Sequence, residues 1–269
     1  AFGLPILHHL NINSKTTQAL IIAPTRELCL QITSELKKYS VNLKLNIVPV
    51  YGGSSIQEQS KSIRRGAEII VATPGRILDM LKRKYVNISK IKFCVLDEAD
   101  EMLNMGFYKD IKQILSNTPD SKKTWLFSAT MPNEVSKIAE KFMKNPYRIT
   151  VGEKNSTSTN VKHKSFFVNS RNRYNVLKLL IDSSPEIYAI IFCRTRRETQ
   201  KICENLIEDG YNSGALHGDL SQNQRDLVMN SFRTKHIKIL VATDVASRGI
   251  DVDNITHIIH YKIPDEVEI

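Results

Sequence analysis

Short apolar runs rich in β-forming residues alternate along the chain with longer segments that carry apolar residues at helical spacing. This alternation is typical of a parallel α/β sheet flanked by helices, because strands covered on both faces are apolar throughout. The runs that predict strands are 19–24, 45–51, 68–73, 93–97 and 124–129, then 164–168, 188–193, 212–217, 238–243 and 256–261. Segment 140–151 adds a helix end, a turn at its proline and a last strand of the first series.

A polar stretch without apolar residues, EKNSTSTN at 153–160, separates the two series. Such a composition is typical of an interdomain linker. The length of 269 residues suffices for two domains of about 100–150 residues each. We therefore expect two α/β domains, at 1–152 and 161–269, each with its own parallel sheet.

The charge balance is basic, with 38 Lys and Arg against 28 Asp and Glu, a net charge of +10. This favours a polyanionic partner, nucleic acid first, although a solvated basic surface is the alternative. The four cysteines have no spacing suited to zinc, and no apolar run approaches the length of a membrane span. We expect a protein of the reducing cytoplasm.

Three acids follow directly on the apolar run 93–96, in the sequence DEAD at 97–100. Carboxylates at the C-terminal end of a buried strand lie where open α/β sheets bind ligands. In P-loop nucleoside triphosphatases an acid at that position manages Mg²⁺ on the phosphates of the nucleotide. A strand that ends in a solvated acidic turn is the alternative interpretation.

Three further loops are predicted at the same rim of the first sheet, PTREL at 24–28, GG at 52–53 and TPGR at 73–76. A helix that begins directly after a strand offers free N–H groups and the positive end of its dipole, which favours phosphate. Glycines let a backbone approach a ligand closely. Each loop alone could be an ordinary turn, but three on one rim together favour the binding of an external anion.

Together with SAT at 128–130, IIFCRT at 190–195 and ATDVASRGID at 242–251, these motifs resemble, in order and spacing, those of DEAD-box RNA helicases. The resemblance covers essentially the whole chain and implies two RecA-like domains. DEADEMLNMGF and LHGDLSQNQRD look most like the bacterial cold-shock-type branch, and the translation initiation factor branch is similar.

The resemblance implies ATP and Mg²⁺ as cofactors and assigns roles to individual residues. Asp97 would hold Mg²⁺ through water, and Glu98 would orient or deprotonate the attacking water. Asp100 would bind the hydroxyls of Ser128 and Thr130 and so report the nucleotide state. In the second domain Gly249 and Asp251 would close over the nucleotide.

The resemblance also implies that RNA is held by its sugar–phosphate backbone, largely without regard to sequence. The residues expected to hold it are Thr25, Arg26, Gly53, Thr73, Arg76, Arg194, Thr195, Gly218, Arg225, Thr243 and Asp244. Ribosome-assembly or RNA-decay proteins are conceivable partners. A DNA translocase of the same superfamily, and an RNA clamp that does not turn over, are the alternatives.

The sequence also departs from the family pattern. It contains no GxxxxGK[ST] motif and no HRxGRxxR segment, and it begins inside an amphipathic helix without an initiator Met. We therefore expect that these residues belong to a longer protein and that they are inactive alone.

Overall fold

The computed structural model describes residues 1–151, 161–243 and 252–263. The chain divides into two compact units, Ala1–Arg148 and Ile149–Ile269. The predicted linker at 153–160 lies outside the described residues. Each unit is built around its own parallel sheet.

The first unit contains a five-stranded parallel sheet in the order β2-β3-β1-β4-β5. Its strands are β1 (Ala19–Ile22), β2 (Ile47–Val50), β3 (Ile69–Ala72), β4 (Phe93–Leu96) and β5 (Lys123–Leu126). Its helices are α1 (Gly3–His9), α2 (Arg26–Tyr39), α3 (Ile56–Arg64), α4 (Pro74–Lys82), α5 (Ala99–Asn104), α6 (Tyr108–Ser116) and α7 (Asn133–Phe142).

Both faces of this sheet are covered, which explains why its strands are apolar runs rather than alternating ones. Leu20 and Ile22 of β1 pack into one core with Ile70 of β3, whereas Ala19 and Ile21 pack into a second core on the other face. All residues of β1, β3 and β4 are buried. Burial on both faces fixes the strands and thereby the loops that follow them.

The second unit contains a four-stranded parallel sheet in the order β7-β8-β6-β9. Its elements are a 3-10 helix (Ser170–Asn172), α8 (Arg173–Asp182), β6 (Ala189–Cys193), α9 (Arg196–Glu208), β7 (Ser213–Leu216), α10 (Gln222–Arg233), β8 (Ile239–Thr243) and β9 (His257–His260). Two cores again lie on the two faces. The prediction of two parallel α/β sheets is confirmed.

Two predicted strands are wrong, the one at 164–168 and the one that ends segment 140–151. Most of their apolar side chains are exposed, including Phe167, Ile149 and Val151. Neither segment pairs with any strand among the described residues. Because a strand exists only through its ladder partners, β-propensity alone was insufficient. In the part of the chain that the structure covers, every helix is too short or too polar to cross a membrane.

Candidate functional site

The C-terminal ends of the strands of the first unit form one rim, because all five strands are parallel. The residues that follow these ends include Thr25 after β1, Thr73 after β3 and Asp97 after β4. Ser128 follows β5 at the same rim. The rim therefore brings together the acidic turn and the candidate anion-binding loops.

The acidic turn changes direction at Glu98. The backbone N–H of Asp97 still donates to the carbonyl of Ile22 at 2.9 Å, which extends the ladder one residue beyond β4. Glu98 then adopts a left-handed conformation, with φ 49° and ψ 54°, and α5 begins at the next residue. This conformation is uncommon for a residue with a side chain and marks a backbone held by its surroundings. The sequence did not predict α5.

Asp100 connects this turn to the segment after β5. Its carboxylate accepts hydrogen bonds from the Thr130 backbone N–H at 2.7 Å and from the Thr130 hydroxyl at 2.8 Å. Its own backbone N–H donates to the Ser128 hydroxyl at 3.1 Å. The backbone N–H of Ala99 donates to the Phe127 carbonyl at 3.0 Å. The turn and segment 127–130 therefore form one hydrogen-bonded junction.

The two aspartates of the turn have opposite electrostatic environments. Burial raises the pKa of Asp97, and the hydrogen bond from the Glu98 backbone N–H only partly counteracts it. Burial also disfavours the ionised Asp100, but hydrogen bonds from Thr130, Ser128 and Glu101 together hold its pKa below the ordinary value. Asp100 is thus a fixed structural anion, whereas Asp97 is a carboxylate short of positive partners.

Asp97 fits a site for Mg²⁺. A buried carboxylate with a raised pKa is stabilised in its ionised form by a nearby cation. Among the residues described, no cluster of three potential ligands would cage a metal. Mg²⁺ is commonly held by one or two carboxylates together with water and substrate phosphates, so a complete protein cage is unnecessary.

The loop after β1 places a threonine and an arginine at the rim. The Thr25 hydroxyl caps α2 by accepting from the Leu28 backbone N–H at 3.2 Å. The guanidinium carbon of Arg26 lies 4.6 Å from the centre of the Tyr51 ring. Guanidinium groups commonly stack on aromatic rings in this way, which fixes the orientation of the side chain.

The loops after β2 and β3 are bonded to each other. Gly53 has a φ of 78°, a conformation that glycine adopts without strain. The Arg76 guanidinium donates to the Ser54 carbonyl at 2.9 Å and to the Gln59 side-chain oxygen at 3.4 Å. Thr73 opens α4 without a side-chain cap bond. Arginine carries five N–H donors, so these bonds do not use all of them.

The sequence analysis missed Tyr51, Ser54 and Gln59. A signal for Gln59 was present, since it lies between Ile56 and Ile63 on the apolar stripe of α3. A polar residue on such a stripe is buried and must find partners.

In the second unit Arg194 and Thr195 follow the end of β6, and Gly218 follows the end of β7. Arg194 donates to the Ile263 carbonyl at 2.9 Å, and the Thr195 hydroxyl caps α9 by accepting from the Glu198 N–H at 3.1 Å. Gly218, two residues after β7, lies against the side chain of Arg196. A Cβ added at Gly218 would lie 3.3 Å from Nε of Arg196. The remaining predicted residues are Thr243, which ends β8, Arg225, which lies on α10, and Asp244, Gly249 and Asp251, which lie outside the described residues.

Comparison with known proteins gives two family matches. The DEAD/DEAH box helicase model matches residues 1–138, and the helicase conserved C-terminal domain model matches residues 172–269. The chain is similar to DEAD-box ATP-dependent RNA helicase CshA of Bacillus licheniformis, with 42% identity over the whole chain and 55% of the relative. CshA of Bacillus subtilis is also 42% identical, over the whole chain and 54% of the relative. The chain thus spans about half the length of these curated relatives.

Solved structures are similar to this chain as well. Dbp5 of S. cerevisiae bound to RNA and ADP BeF3 matches with 28% identity and a TM-score of 0.88, over 99% of this chain and 68% of that one. A DEAD box protein from Methanococcus jannaschii matches with 41% identity and a TM-score of 0.54, over 98% of this chain and 70% of that one.

Proposed function

Because the chain belongs to the DEAD/DEAH box helicase family, we propose that it forms most of the two-domain motor of an RNA-stimulated ATPase that unwinds short RNA duplexes. The observation that carries the proposal is the junction between Asp100 and Thr130. The junction holds the acidic turn against segment 128–130, at the same edge of the sheet as the loops that carry Arg26 and Arg76. Carboxylates for nucleotide chemistry and cations for RNA thereby share one edge of the sheet.

The nucleotide side of the site relies on the acidic turn. Asp97 would hold Mg²⁺, and the metal would supply charge neutralisation of the β- and γ-phosphates. Glu98 would accept a proton from, or orient, the water that attacks the γ-phosphate. Glu98 stands at the left-handed residue where the chain turns from β4 into α5. Gly249 and Asp251 of the second domain are proposed to contact the nucleotide.

The RNA side relies on hydroxyls, cations and backbone groups at strand ends. In the first unit the proposed contacts are Thr25, Arg26, Gly53, Thr73 and Arg76, and in the second they are Arg194, Thr195, Gly218, Arg225, Thr243 and Asp244. Such groups bind phosphate and ribose without distinguishing bases. A sequence-tolerant RNA substrate follows, and the 2′-OH distinguishes it from DNA. Ribosome-assembly or RNA-decay proteins of the cytoplasm are the partners that we propose.

The test uses the complete protein that carries this chain. We expect multiple-turnover phosphate release from ATP·Mg²⁺ to be stimulated by RNA and far less by DNA of the same sequence. Glu98→Gln should abolish hydrolysis and retain ATP-dependent RNA binding, because it keeps the shape and removes the base. Glu134→Gln, an exposed position on α7, is the control. Equal stimulation by DNA would favour the translocase, and RNA binding without turnover in the wild type would favour the clamp.

Residues 1–269 alone test the requirement for a phosphate-binding loop. They contain no GxxxxGK[ST] sequence, so we expect them to bind RNA and to release no phosphate. The carboxylates act only on a nucleotide that other groups already hold. RNA affinity that rises with ATP in these residues would show that the phosphates bind elsewhere.

A further inference from the structure

A single buried amide, that of Gln59, connects two loops at the rim of the first sheet. The Gln59 residue is 7% exposed. Its Nε2 donates to the Tyr51 backbone carbonyl at 3.0 Å, and its Oε1 accepts from the Arg76 guanidinium at 3.4 Å. A carbonyl requires a donor and a guanidinium requires an acceptor, so only one orientation of the amide satisfies both.

Each partner of Gln59 leads to a residue of the candidate RNA surface. The Tyr51 ring carries the Arg26 guanidinium at 4.6 Å. Arg76 donates to the carbonyl of Ser54, the residue after Gly53, at 2.9 Å. The loops that follow β1, β2 and β3 are therefore linked by the Arg26–Tyr51 stack and the Arg76–Ser54 bond. The Gln59 amide joins these two contacts, because it bonds to both Tyr51 and Arg76.

We infer that Gln59 is a positioning residue, which fixes the loops of Arg26, Gly53 and Arg76 relative to one another for RNA binding. The inference rests on the proposed function. Loops that are already ordered in the free protein lose less conformational entropy when they bind, so removal of the amide weakens binding without removing a contact to RNA. The effect should fall on RNA affinity and leave nucleotide affinity unchanged, since Asp97 and Glu98 lie on the opposite side of β1, after β4.

The chemistry of the site distinguishes three side chains of similar size. Glutamine supplies both the donor for Tyr51 and the acceptor for Arg76. Glutamate keeps only the acceptor, and methionine keeps neither. A residue that merely fills space would tolerate methionine at least as well as glutamate, because a buried carboxylate is costly. A positioning residue gives a graded loss in the order glutamine, glutamate, methionine.

The experiment compares Gln59→Met and Gln59→Glu with Gln57→Met and Gln57→Glu in the complete protein. Gln57 lies exposed on the same helix, where its side-chain oxygen accepts from the Ser55 hydroxyl. The measured quantities are the RNA concentration for half-maximal stimulation of ATP hydrolysis, kcat at saturating RNA, the KM for ATP and the melting temperature. The Gln57 variants control for helix propensity and for added charge.

We expect Gln59→Met to raise the half-maximal RNA concentration about tenfold, roughly the effect of one or two lost hydrogen bonds. The kcat at saturating RNA and the KM for ATP should stay at wild-type values. Gln59→Glu should lie between Gln59→Met and the wild type, and the Gln57 variants should match the wild type.

The inference would be overturned if Gln59→Met left the half-maximal RNA concentration unchanged. It would also be overturned if the variant changed the KM for ATP by the same factor. In either case, RNA stimulation of the wild type would still uphold the proposed function. If Gln59→Met does not fold, the comparison of Gln59→Glu with Gln57→Glu decides in the same way. A wild-type protein without any RNA stimulation would overturn both.

Discussion

Thr130 donates two hydrogen bonds to the carboxylate of Asp100, at 2.7 Å from its backbone N–H and at 2.8 Å from its hydroxyl. The two residues lie 30 positions apart, on either side of α6 and β5. This pair joins the acidic turn to the end of the neighbouring strand. A movement of the turn would therefore also displace segment 128–130.

Replacement of Asp100 by Asn should destabilise the first unit. The charged acceptor of three donors is lost, and the amide adds a donor that meets donors already present. We expect the free energy of unfolding to fall by about 1–3 kcal/mol. Urea unfolding at pH 7 measures it, and an unchanged midpoint would contradict the role of the junction.

Asp100 also makes a definite contribution to the pH dependence of stability. Because its folded pKa is lowered, its stabilisation is fully present above the unfolded pKa and is lost as the pH falls through the folded value. Asp100→Asn lacks this contribution. The difference in stability between wild type and variant should therefore shrink below about pH 4. A constant difference from pH 7 to pH 3 would contradict the lowered pKa.

Asp97→Asn should have the opposite effect on stability from Asp100→Asn. The folded pKa of Asp97 is raised by burial, so its ionised form opposes folding above that pKa, and the penalty disappears at low pH. We expect Asp97→Asn to raise the melting temperature at pH 7 and to match the wild type below about pH 4. The same variant should lose ATP hydrolysis, since it loses the proposed metal ligand. A lower melting temperature at pH 7 would contradict the raised pKa.

Arg26→Ala should weaken RNA binding by a similar factor for every sequence. Loss of one phosphate contact on a single strand should reduce the slope of log K against log salt by about 0.7. Arg83→Ala is the matched control, because Arg83, the C-cap residue of α4, forms an exposed ion pair with Asp79. Fluorescence anisotropy with three unrelated RNA sequences measures both quantities. A loss confined to one sequence would mean that Arg26 contacts bases.

The cysteines should resist thiol reagents in the folded protein. All four are buried, and burial raises the pKa of Cys29 and of Cys94 to about 12. The thiolate is the reactive form, so the thiolate fraction of these two at pH 9 is roughly one in a thousand. We expect slow labelling at pH 9 and fast labelling of all four in concentrated urea. Rapid labelling of Cys29 in the native protein would show that its site opens.

The sequence alone determined both parallel sheets and the location of the candidate site at their strand ends. Runs such as 69–72 and 93–96 are short, apolar throughout and rich in β-forming residues, which is typical of a strand covered on both faces. Polar residues after such runs, like Asp97 and Thr25, then lie at one rim, because parallel strands end on the same side. These conclusions depend on local composition and on the direction of the strands.

The tertiary structure decided which of these residues touch, and which apolar runs become strands. The bonds of Thr130 to Asp100 and of Gln59 to Arg76 join residues 30 and 17 positions apart, and their geometry depends on the order of strands in the sheet. Residues 164–168 have the composition of a strand but no partner among the described residues. Pairing and side-chain contact are properties of neighbours in space, and a pattern along the chain does not specify those neighbours.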